Sequence, residues 1–203
     1  DIRDTWKSVS DIAFKRQDVW AGYRRPGAWP DADMMVLGCV GWGKYEHPIN
    51  PTRLTPDEQY SHMTMWCMLS SPLILGCDLT RADDFLLSLL TNGEVIAVNQ
   101  DELGLSPAKR YGDGTYATYI KCLADGGIAV AMFNLSDEPK TIGFIPLSLG
   151  LMEDQVVRDL WRQEDVAKVA FRERWECEVA PHGVRFLKLS PGSINGKPLG
   201  KYR

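Results

Sequence analysis

The spacing of apolar positions changes character about half-way along the chain. Residues 1–102 combine helical periodicity with short continuous apolar runs, whereas residues 103–203 carry short alternating runs separated by turn residues. Helices that alternate with buried strands indicate a parallel sheet covered by helices, and short alternating runs indicate an antiparallel β-sandwich. The pattern therefore predicts an α/β domain over residues 1–102, followed by an all-β domain over residues 103–203.

The first half opens with a helical pattern. Apolar residues recur at helical spacing from Ile2 to Ala13, which predicts an amphipathic helix over about residues 2–19 that starts directly after Asp1. The stretch "AWPDADMMVLG" at residues 28–38 then predicts an extended, largely buried segment, because a Pro-containing turn leads into a continuous apolar run. Asp31 and Asp33 lie between Trp29 and this run. They can be interpreted either as turn residues or as residues that bind a ligand.

The clearest local signal is the start of a helix in "LTPDEQYSHMTMWCMLSSP". Thr55 is a capping residue, Pro56 suits the first helical turn, and Glu58 completes a capping box three positions after Thr55. Pro72 predicts the end of this helix. The sulfur-containing and aromatic side chains along it are interpreted as core packing rather than as a ligand site; these are Met63, Met65, Trp66 and Met68.

The remaining apolar runs predict the other helices and strands of the two domains. "PLILGCD" predicts a fully buried strand, "RADDFLLSLLTN" predicts a short helix, and "VIAVNQ" is another apolar run. Beyond "NQDELGLSPAKR", the strands of the sandwich are predicted by the alternating runs "YATYIKCL", "IAVAMFNL", "TIGFIPLSL", "QVVRDLW", "WECEVA" and "GVRFLKLS".

Composition argues against several classes of function. The 203 residues are 44% hydrophobic and 25% charged, with a formal net charge of -4. The sequence has no basic run to neutralise phosphates and no apolar stretch of ~20 residues, which argues against nucleic-acid binding and membrane-spanning roles. The five cysteines lack CxxC or Cys/His spacing, so neither a metal site nor a complete disulfide framework is predicted, and no motif requires a cofactor.

Four segments, in order along the chain, resemble a known family. "DIRDTW", "AWPDADM", "LTPDEQYSHMTMWCMLSSPLILGCDL" and "EVIAVNQDELG" are similar to the family 27 glycoside hydrolases, the α-galactosidases and α-N-acetylgalactosaminidases. Several independent motifs in one order are a specific signal. "VVRDLW" and "VAPHGVRFLKL" resemble the family's terminal β domain more loosely. The resemblance implies the carboxyl-terminal part of a (β/α)8 TIM barrel over residues 1–102 and an antiparallel β-sandwich over residues 103–203.

The resemblance also implies a reaction. The family hydrolyses terminal α-linked galactose with retention of configuration, using one carboxylate as the nucleophile and a second as the general acid/base. The acid/base opens a D-I-x-D-x-W motif, and Asp1 occupies that position; a cap of the first helix is the alternative role. Arg3 replaces the acid usual at the third place of the motif and changes the local charge, and Asp4 is interpreted as support on the helix face.

The family pattern around the second pair of acids is approximately G-G-W-N-D-P-D-M. Trp29, Asp31, Asp33 and Met34 match it, and the residues that depart from it are Ala28, Pro30 and Ala32. By this match Asp33 and Met34 line the galactose pocket, Asp31 holds the loop, and Trp29 provides an apolar wall. A pocket role calls for Asp33 at the carboxyl end of a strand at about residues 27–32, whereas periodicity favours a strand at "MMVL". We follow the resemblance here.

Other candidate residues have weaker support. Asp78 ends "LILGCD" and is interpreted as a loop anchor, with a functional role as the alternative. Trp42 and Tyr45 are interpreted as packed loop residues, with stacking on a distant sugar as the alternative. None of the three histidines, His47, His62 and His182, has a nucleophilic Ser or Cys at recognisable spacing, so a hydrolase triad is not supported.

The implied substrate is a terminal α-galactoside. In the family, the nucleophile lies amino-terminal to the acid/base, and this sequence begins at Asp1 rather than Met. We therefore expect a fragment or processed piece that is inactive alone. Two alternatives stay open: a β-L-arabinopyranosidase or α-N-acetylgalactosaminidase of the same family, or a non-catalytic carbohydrate-binding module whose function lies in the β domain. Family members are often secreted, periplasmic or lysosomal.

Overall fold

The chain divides into two compact units, Asp1–Ser106 and Pro107–Arg203. The computed structural model describes residues 1–16, 23, 25–41, 43 and 47–192. The division falls after Ser106 rather than after residue 102, because residues 103–105 are bonded within the first unit. The Trp29 indole donates to the Gly104 carbonyl at 3.1 Å, and the Ser70 hydroxyl donates to the Leu105 carbonyl at 3.5 Å.

The described regular structure of the first unit is mainly helical. Its elements are α1 (Trp6–Ser10), a π-helical stretch (Asp11–Lys15), β1 (Cys39–Val40), β2 (Asn50–Pro51), α2 (Pro56–Leu69), a 3₁₀ turn (Leu79–Arg81), α3 (Asp84–Leu90) and α4 (Gly93–Asn99). β1 and β2 pair in an antiparallel manner. Within the described residues of the whole chain, every helix is too short or too polar to cross a membrane.

The first helix starts later than its apolar pattern predicts. Thr5 is the capping residue: its backbone is extended (φ -135, ψ 143), and its hydroxyl accepts a hydrogen bond from the Ser8 amide at 3.4 Å. The predicted start directly after Asp1 is therefore wrong, and Asp1 does not cap this helix. The predicted helix continued to residue 19, and residues 17–19 lie outside the described part of the chain.

Helix α2 confirms the capping box. The Thr55 hydroxyl accepts from the Glu58 amide at 3.3 Å, and the Glu58 carboxylate accepts from the Thr55 amide at 2.8 Å. The helix ends at Leu69, and its C-cap Ser70 has a left-handed backbone (φ 52), two residues before Pro72. The four side chains predicted to pack in the core are all buried: Met63, Met65, Trp66 and Met68.

The backbone pairing next to Asp33 lies after that residue rather than before it. Met35 forms a parallel bridge with Leu75, and the Met35 amide donates to the Ile74 carbonyl at 2.8 Å. Residues 27–32, all of which are described, form no strand. Asp33 itself has a left-handed backbone (φ 76), which interrupts an extended chain. The strand predicted at residues 27–32 is therefore wrong, and the apolar run "MMVL" indicated the pairing correctly.

Two further segments of the first unit differ from what their apolar runs suggest. "PLILGCD" is only partly buried, with Ile74 47% exposed, so the prediction of a fully buried strand is wrong. "VIAVNQ" is mostly helical, because Asn92 caps α4: the Asn92 side-chain oxygen accepts from the Glu94 and Val95 amides, each at 3.1 Å. A strong cap thus decides between helix and strand for a short apolar run.

The second unit is the predicted antiparallel β-sandwich. Its described strands are β3 (Ala108–Gly112), β4 (Tyr116–Cys122), β5 (Ile128–Asn134), β6 (Lys140–Phe144), β7 (Gln155–Asp159), β8 (Glu164–Val169), β9 (Trp175–Val179) and β10 (Val184–Pro191), with a 3₁₀ turn at Pro146–Leu149. One sheet has the order β3-β4-β5-β10-β7-β8, and a two-stranded sheet pairs β6 with β9. Side chains from both sheets form one buried cluster, which includes Val130, Ile142, Val157, Val179 and Leu187.

Strands β3 and β8 were not predicted. They are the two edge strands of the six-stranded sheet, and most of their residues are exposed. An edge strand needs little apolar surface, so its sequence lacks a clear alternating signal. The six strands that were predicted from alternating runs are β4, β5, β6, β7, β9 and β10.

Candidate active site

The candidate site is built around a turn at Asp33. The left-handed backbone of this residue (φ 76) is uncommon for a residue other than glycine, although Asp tolerates it better than most. Asp31 supports the turn, since its carboxylate accepts from the Asp33 amide at 2.9 Å. The Asp33 carboxylate accepts from the Met34 amide at 2.7 Å. Asp31 therefore holds the loop, as the resemblance implied.

Helix α2 holds this segment through a stripe of three polar side chains. The Trp66 indole N–H donates to the Asp33 carbonyl at 2.8 Å. One helical turn earlier, His62 Nε2 accepts from the Val36 amide at 3.1 Å, and one turn before that, Gln59 Oε1 accepts from the Gly38 amide at 3.1 Å. Positions 59, 62 and 66 lie on one side of a helix. They provide the partners that a neighbouring strand would otherwise provide.

His62 is the most perturbed titratable group near the site. Its side chain is fully buried, and burial lowers the pKa of the imidazole to about 3. The ring is therefore neutral at physiological pH, which matches its role as an acceptor for the Val36 amide. The edge of the His62 ring contacts the Trp66 ring, with the ring centres 4.1 Å apart. The histidine thus acts as a structural hydrogen-bond acceptor.

Asp33 is also bonded to the start of the chain. The Ile2 amide donates to Asp33 Oδ2 at 2.8 Å. This bond joins two segments that are 31 residues apart and brings Asp1 next to Asp33. Both acids line a cavity of about 250 Å³, together with Ser8, Asp31 and Arg16. The structure therefore places the two acids that the sequence singled out at one site.

The four carboxylates of this cavity differ in their bonding. Asp11 pairs with Lys15 and Lys7, at 2.5 Å each, and these hydrogen bonds lower the pKa of its carboxyl. The carboxylates of Asp31 and Asp33 accept backbone amides. The Asp1 side chain is exposed and forms no hydrogen bond or ion pair with the described residues.

Asp4 anchors the segment that bears Asp1. Its carboxylate accepts from the Arg53 amide at 3.1 Å and from the Arg53 guanidinium at 2.6 Å. Burial alone would raise the pKa of Asp4, but the hydrogen bonds and charge of Arg53 outweigh burial and lower it. Asp4 precedes the first residue of α1, so its predicted role as support on the helix face is wrong. It instead joins the Asp1 segment to the loop before α2.

Trp29 and Met34 are not brought to the same cavity as the two acids. Trp29 lines a different cavity of about 370 Å³, where its ring lies so close to Gly104 that a Cβ there would come within 3.1 Å of it. Met34 is 37% exposed and packs over Gly76, where an added Cβ would come within 3.1 Å of the Met34 Cβ. Their predicted roles in the galactose pocket stay predictions.

The weaker candidates have structural roles or lie outside the described residues. Asp78 caps the 3₁₀ turn, because its carboxylate accepts from the Thr80 amide at 3.0 Å and from the Thr80 hydroxyl at 2.7 Å. The hydroxyl bond and then the amide bond lower the pKa of this partly buried carboxyl. Trp42 and Tyr45 lie outside the described residues. In the described part of the chain, no group of three or more His, Cys, Asp and Glu residues is arranged to hold a metal ion.

Gln59, His62 and Trp66 position the site, and this role was not predicted from the sequence. Core packing was predicted for Trp66, which is correct for the ring but omits the indole N–H. A signal was available: Gln59, His62 and Trp66 form a stripe at helical spacing that leads into the apolar run at residues 65–69. Buried polar groups require partners, so such a stripe predicts contacts with a backbone segment.

Two family models match this chain, one in each of its two units. Residues 1–101 match the family model for alpha galactosidase A, and residues 113–189 match the model for the alpha galactosidase C-terminal beta sandwich domain. The structure is similar to that of a β-L-arabinopyranosidase of glycoside hydrolase family 27 from Geobacillus stearothermophilus, with a TM-score of 0.86 and 35% identity over 98% of this chain and 45% of that chain. The chain belongs to glycoside hydrolase family 27. The predicted family and its terminal β-sandwich are thus confirmed.

Two further relatives show how much of the chain is matched. Alpha-galactosidase 2 of Arabidopsis thaliana is 34% identical over 192 residues, which cover 94% of this chain and 45% of that protein. The structure of alpha-galactosidase I from Mortierella vinacea has a TM-score of 0.78 and 29% identity, and the match covers 91% of this chain and 45% of that chain. The chain therefore spans about half the length of the curated relatives that it matches.

Proposed function

We propose that this chain is part of a retaining glycoside hydrolase that removes terminal α-galactosyl residues from oligosaccharides, polysaccharides or glycoconjugates. Residues 1–102 would form the carboxyl-terminal part of its (β/α)8 barrel. The observation that supports this proposal most is the exposed Asp1 carboxylate, which lines one cavity with Asp33 and is not used by any structural bond within the described residues. A carboxyl group in this position is available to exchange a proton with a bound substrate.

In this proposal Asp1 is the general acid/base. It protonates the glycosidic oxygen as the bond to the anomeric carbon breaks, and it then takes a proton from the water that hydrolyses the glycosyl-enzyme. The three other carboxylates of the cavity are held by lysines or by backbone amides. We therefore assign the nucleophile to a carboxylate outside residues 1–203, in line with the order of the two groups in the family.

Asp33 would have two roles in the same site. Its Oδ2 accepts the Ile2 amide and so holds the Asp1 segment, while the remaining lone pairs of the carboxylate can accept sugar hydroxyls. Met34 and Trp29 would provide apolar contacts to the sugar, although neither lines the cavity that Asp1 and Asp33 share. Asp33 is therefore the stronger candidate for a sugar-binding residue.

A second candidate substrate is a β-L-arabinopyranoside. Its support is the structural match to the Geobacillus stearothermophilus enzyme, at 35% identity over 98% of this chain. The two sugars share their ring hydroxyl arrangement and differ in the hydroxymethyl group of galactose. Steady-state kinetics with nitrophenyl α-galactoside, nitrophenyl β-L-arabinopyranoside and nitrophenyl α-N-acetylgalactosaminide separate these activities, since the preferred substrate has the highest kcat/KM.

The roles of the two acids are tested by substitution in the enzyme that contains this chain and the nucleophile segment. Asp1→Ala should lower the rate by ~10² to 10⁴ for substrates with poor leaving groups, with a much smaller effect on an activated aryl galactoside. Azide should accelerate the breakdown of the glycosyl-enzyme in this variant. Asp33→Ala should impair good and poor leaving groups alike, without rescue by azide, because sugar contacts are lost in both ground and transition states.

Asp84→Ala is the matched control, since Asp84 is an exposed acid at the start of α3. It should leave kcat/KM unchanged. Azide rescue of the Asp33 variant alone would mean that the two roles are reversed, and normal kcat/KM in both variants would remove the active-site assignment.

The 203-residue chain alone should show no turnover of nitrophenyl α-galactoside. Turnover by this chain with retention of the anomeric configuration would contradict a nucleophile outside residues 1–203.

A further inference from the structure

Two consecutive backbone amides hold the segment that leads to Asp1. The Ile2 amide donates to Asp33 Oδ2 at 2.8 Å, and the Arg3 amide donates to the Ser8 hydroxyl oxygen at 2.9 Å. Adjacent amides that are bound to two separate acceptors fix both the position and the direction of the chain between them, which is how supporting residues hold a functional group in place. The place of the Asp1 carboxylate therefore depends on Ser8 as well as on Asp33.

The start of helix α1 holds Ser8 in turn. The Ser8 amide donates to the Thr5 hydroxyl at 3.4 Å, and the Thr5 amide donates to the Arg3 carbonyl at 2.8 Å. Ser8 is the third residue of α1, the position from which a side chain reaches back to the backbone in a capping box. Here the side chain reaches past the cap Thr5 to Arg3. The hydroxyl is thus directed towards the Asp1 segment by the helix that follows it.

Ser8 also lines the cavity that contains the two acids. Four carboxylates already line this cavity: Asp1, Asp11, Asp31 and Asp33. A serine hydroxyl accepts the Arg3 amide without adding a further negative charge to them. This matters for a general acid, because like charges nearby change the pH range in which a carboxyl group carries its proton. The cavity therefore uses a neutral acceptor to hold the Asp1 segment.

We propose that Ser8 is a positioning residue for the general acid/base. Its hydroxyl holds the Arg3 amide so that the Asp1 carboxylate lies within reach of the glycosidic oxygen, and it acts on the reaction only through Asp1. A misplacement of about 1 Å can cost roughly 10²-fold in rate, and the loss of one of two holding bonds should cost less than that. This inference rests on the proposed function, in which Asp1 transfers the proton.

The test measures Ser8→Ala in the enzyme that contains this chain and the nucleophile segment. With a galactoside that has a poor leaving group, kcat/KM should fall about tenfold, because proton donation from a displaced Asp1 is slower. With an activated aryl galactoside, which needs little proton donation, the loss should stay below about twofold. The loss should appear in kcat more than in KM, since the contacts of Asp33 with the sugar remain.

Two variants of nearly the same shape isolate the hydroxyl. Ser8→Thr keeps an acceptor for the Arg3 amide and should retain most of the activity, whereas Ser8→Val should lose as much as Ser8→Ala. This pair keeps the test decisive if Ser8→Ala disturbs folding. Ser10→Ala is the control on the same helix: the Ser10 hydroxyl donates to the Lys7 carbonyl at 3.2 Å, away from the cavity lining, so kcat/KM should stay unchanged.

A double substitution links Ser8 to Asp1. In the Asp1→Ala background, Ser8→Ala should cause no further loss with the poor leaving group, because no acid/base remains to be positioned. A residue that merely stabilises the fold would lower activity in both backgrounds. The double variant therefore separates a positioning role from a structural one.

Three results would overturn this inference alone. Equal losses with good and poor leaving groups would show a general structural role. A loss of the same size in the Asp1→Ala background would show that Ser8 acts independently of Asp1, and normal activity of Ser8→Val would show that the hydroxyl is not needed. If Asp1→Ala itself shows neither leaving-group dependence nor azide rescue, the proposed function is overturned, and this inference with it.

Discussion

The two units satisfy their backbone hydrogen bonds in different ways. In the second unit, β5 pairs with β4 over seven positions, from Tyr116↔Asn134 to Cys122↔Ile128, and with β10 on its other side. In the first unit, the segment at residues 33–38 has one parallel bridge, and three of its backbone groups bond to side chains of α2. One unit is held by backbone pairing and the other, at this segment, by particular side chains.

This difference decides which substitutions each unit tolerates. Strand pairing uses only N–H and C=O groups, so the second unit depends on side chains mainly through the volume of its core. The segment at residues 33–38 depends on hydrogen-bonding groups that only a few residue types possess. We therefore expect core volume to dominate stability in the second unit, and donor or acceptor identity to dominate near the candidate active site.

The largest effect should come from the sandwich core. Leu187 is fully buried between strands, and Leu187→Ala should destabilise the second unit by about 2 to 5 kcal/mol, because the lost contacts leave a cavity. Hydrogen exchange measured by mass spectrometry, with urea titration, resolves the two units. Val166→Ala on β8 is the control, since Val166 is 37% exposed and should change stability by less than about 0.5 kcal/mol. Equal loss of protection from hydrogen exchange in both units would contradict the expected difference between them.

Acid should destabilise the first unit through His62. Its pKa is about 3 in the folded chain, because burial disfavours the charged ring, and ordinary in the unfolded chain. Between these two values only the unfolded chain binds the proton, so stability is fully present above the ordinary histidine pKa and falls as the pH decreases towards 3, by at most about 1.4 kcal/mol per pH unit.

Substitution of His62 tests this slope. His62→Gln retains an acceptor for the Val36 amide but does not titrate, so the acid dependence of exchange at residues 33–38 should become shallower. His47→Gln, at an exposed position, is the matched substitution control. An unchanged slope in the His62 variant would assign the acid dependence to other groups.

A smaller effect should follow from the loss of a single donor. Trp66→Phe keeps an aromatic ring in the core but removes the N–H that binds the Asp33 carbonyl, and it should cost about 1 to 3 kcal/mol. Exchange should accelerate at residues 33–38, while β5 serves as the internal control. If both regions respond equally, the indole acts through ring packing and not through the turn at Asp33.

The smallest effect should come from the ion pair at the edge of the site. Arg53 is largely exposed, so Arg53→Met should lower the free energy of unfolding only slightly at neutral pH. Because the pKa of Asp4 is lowered in the folded chain, the contribution exists above the ordinary Asp pKa and disappears as the pH falls through the lowered value. Urea unfolding at neutral and at strongly acidic pH checks this sign; an effect that grows on acidification would contradict it.

Local signals were sufficient wherever a few neighbouring residues determine the structure. The Thr55–Glu58 capping box predicted α2 because both partners lie within one turn. Alternating runs bounded by turn residues predicted six strands of the sandwich. The order of four motifs identified the family and singled out Asp1 and Asp33.

Tertiary structure decided the features that depend on distant partners. Edge strands β3 and β8 exist because a neighbouring strand offers hydrogen bonds, not because of an apolar pattern. Asp33 meets the Ile2 amide across 31 residues, and its turn is held by Trp66. The sequence by itself determined the helix cap, the family and the two acids, since these are written in short stretches. Only the folded chain could bring the acids together, because the groups that hold them are far apart in sequence and meet through specific hydrogen bonds.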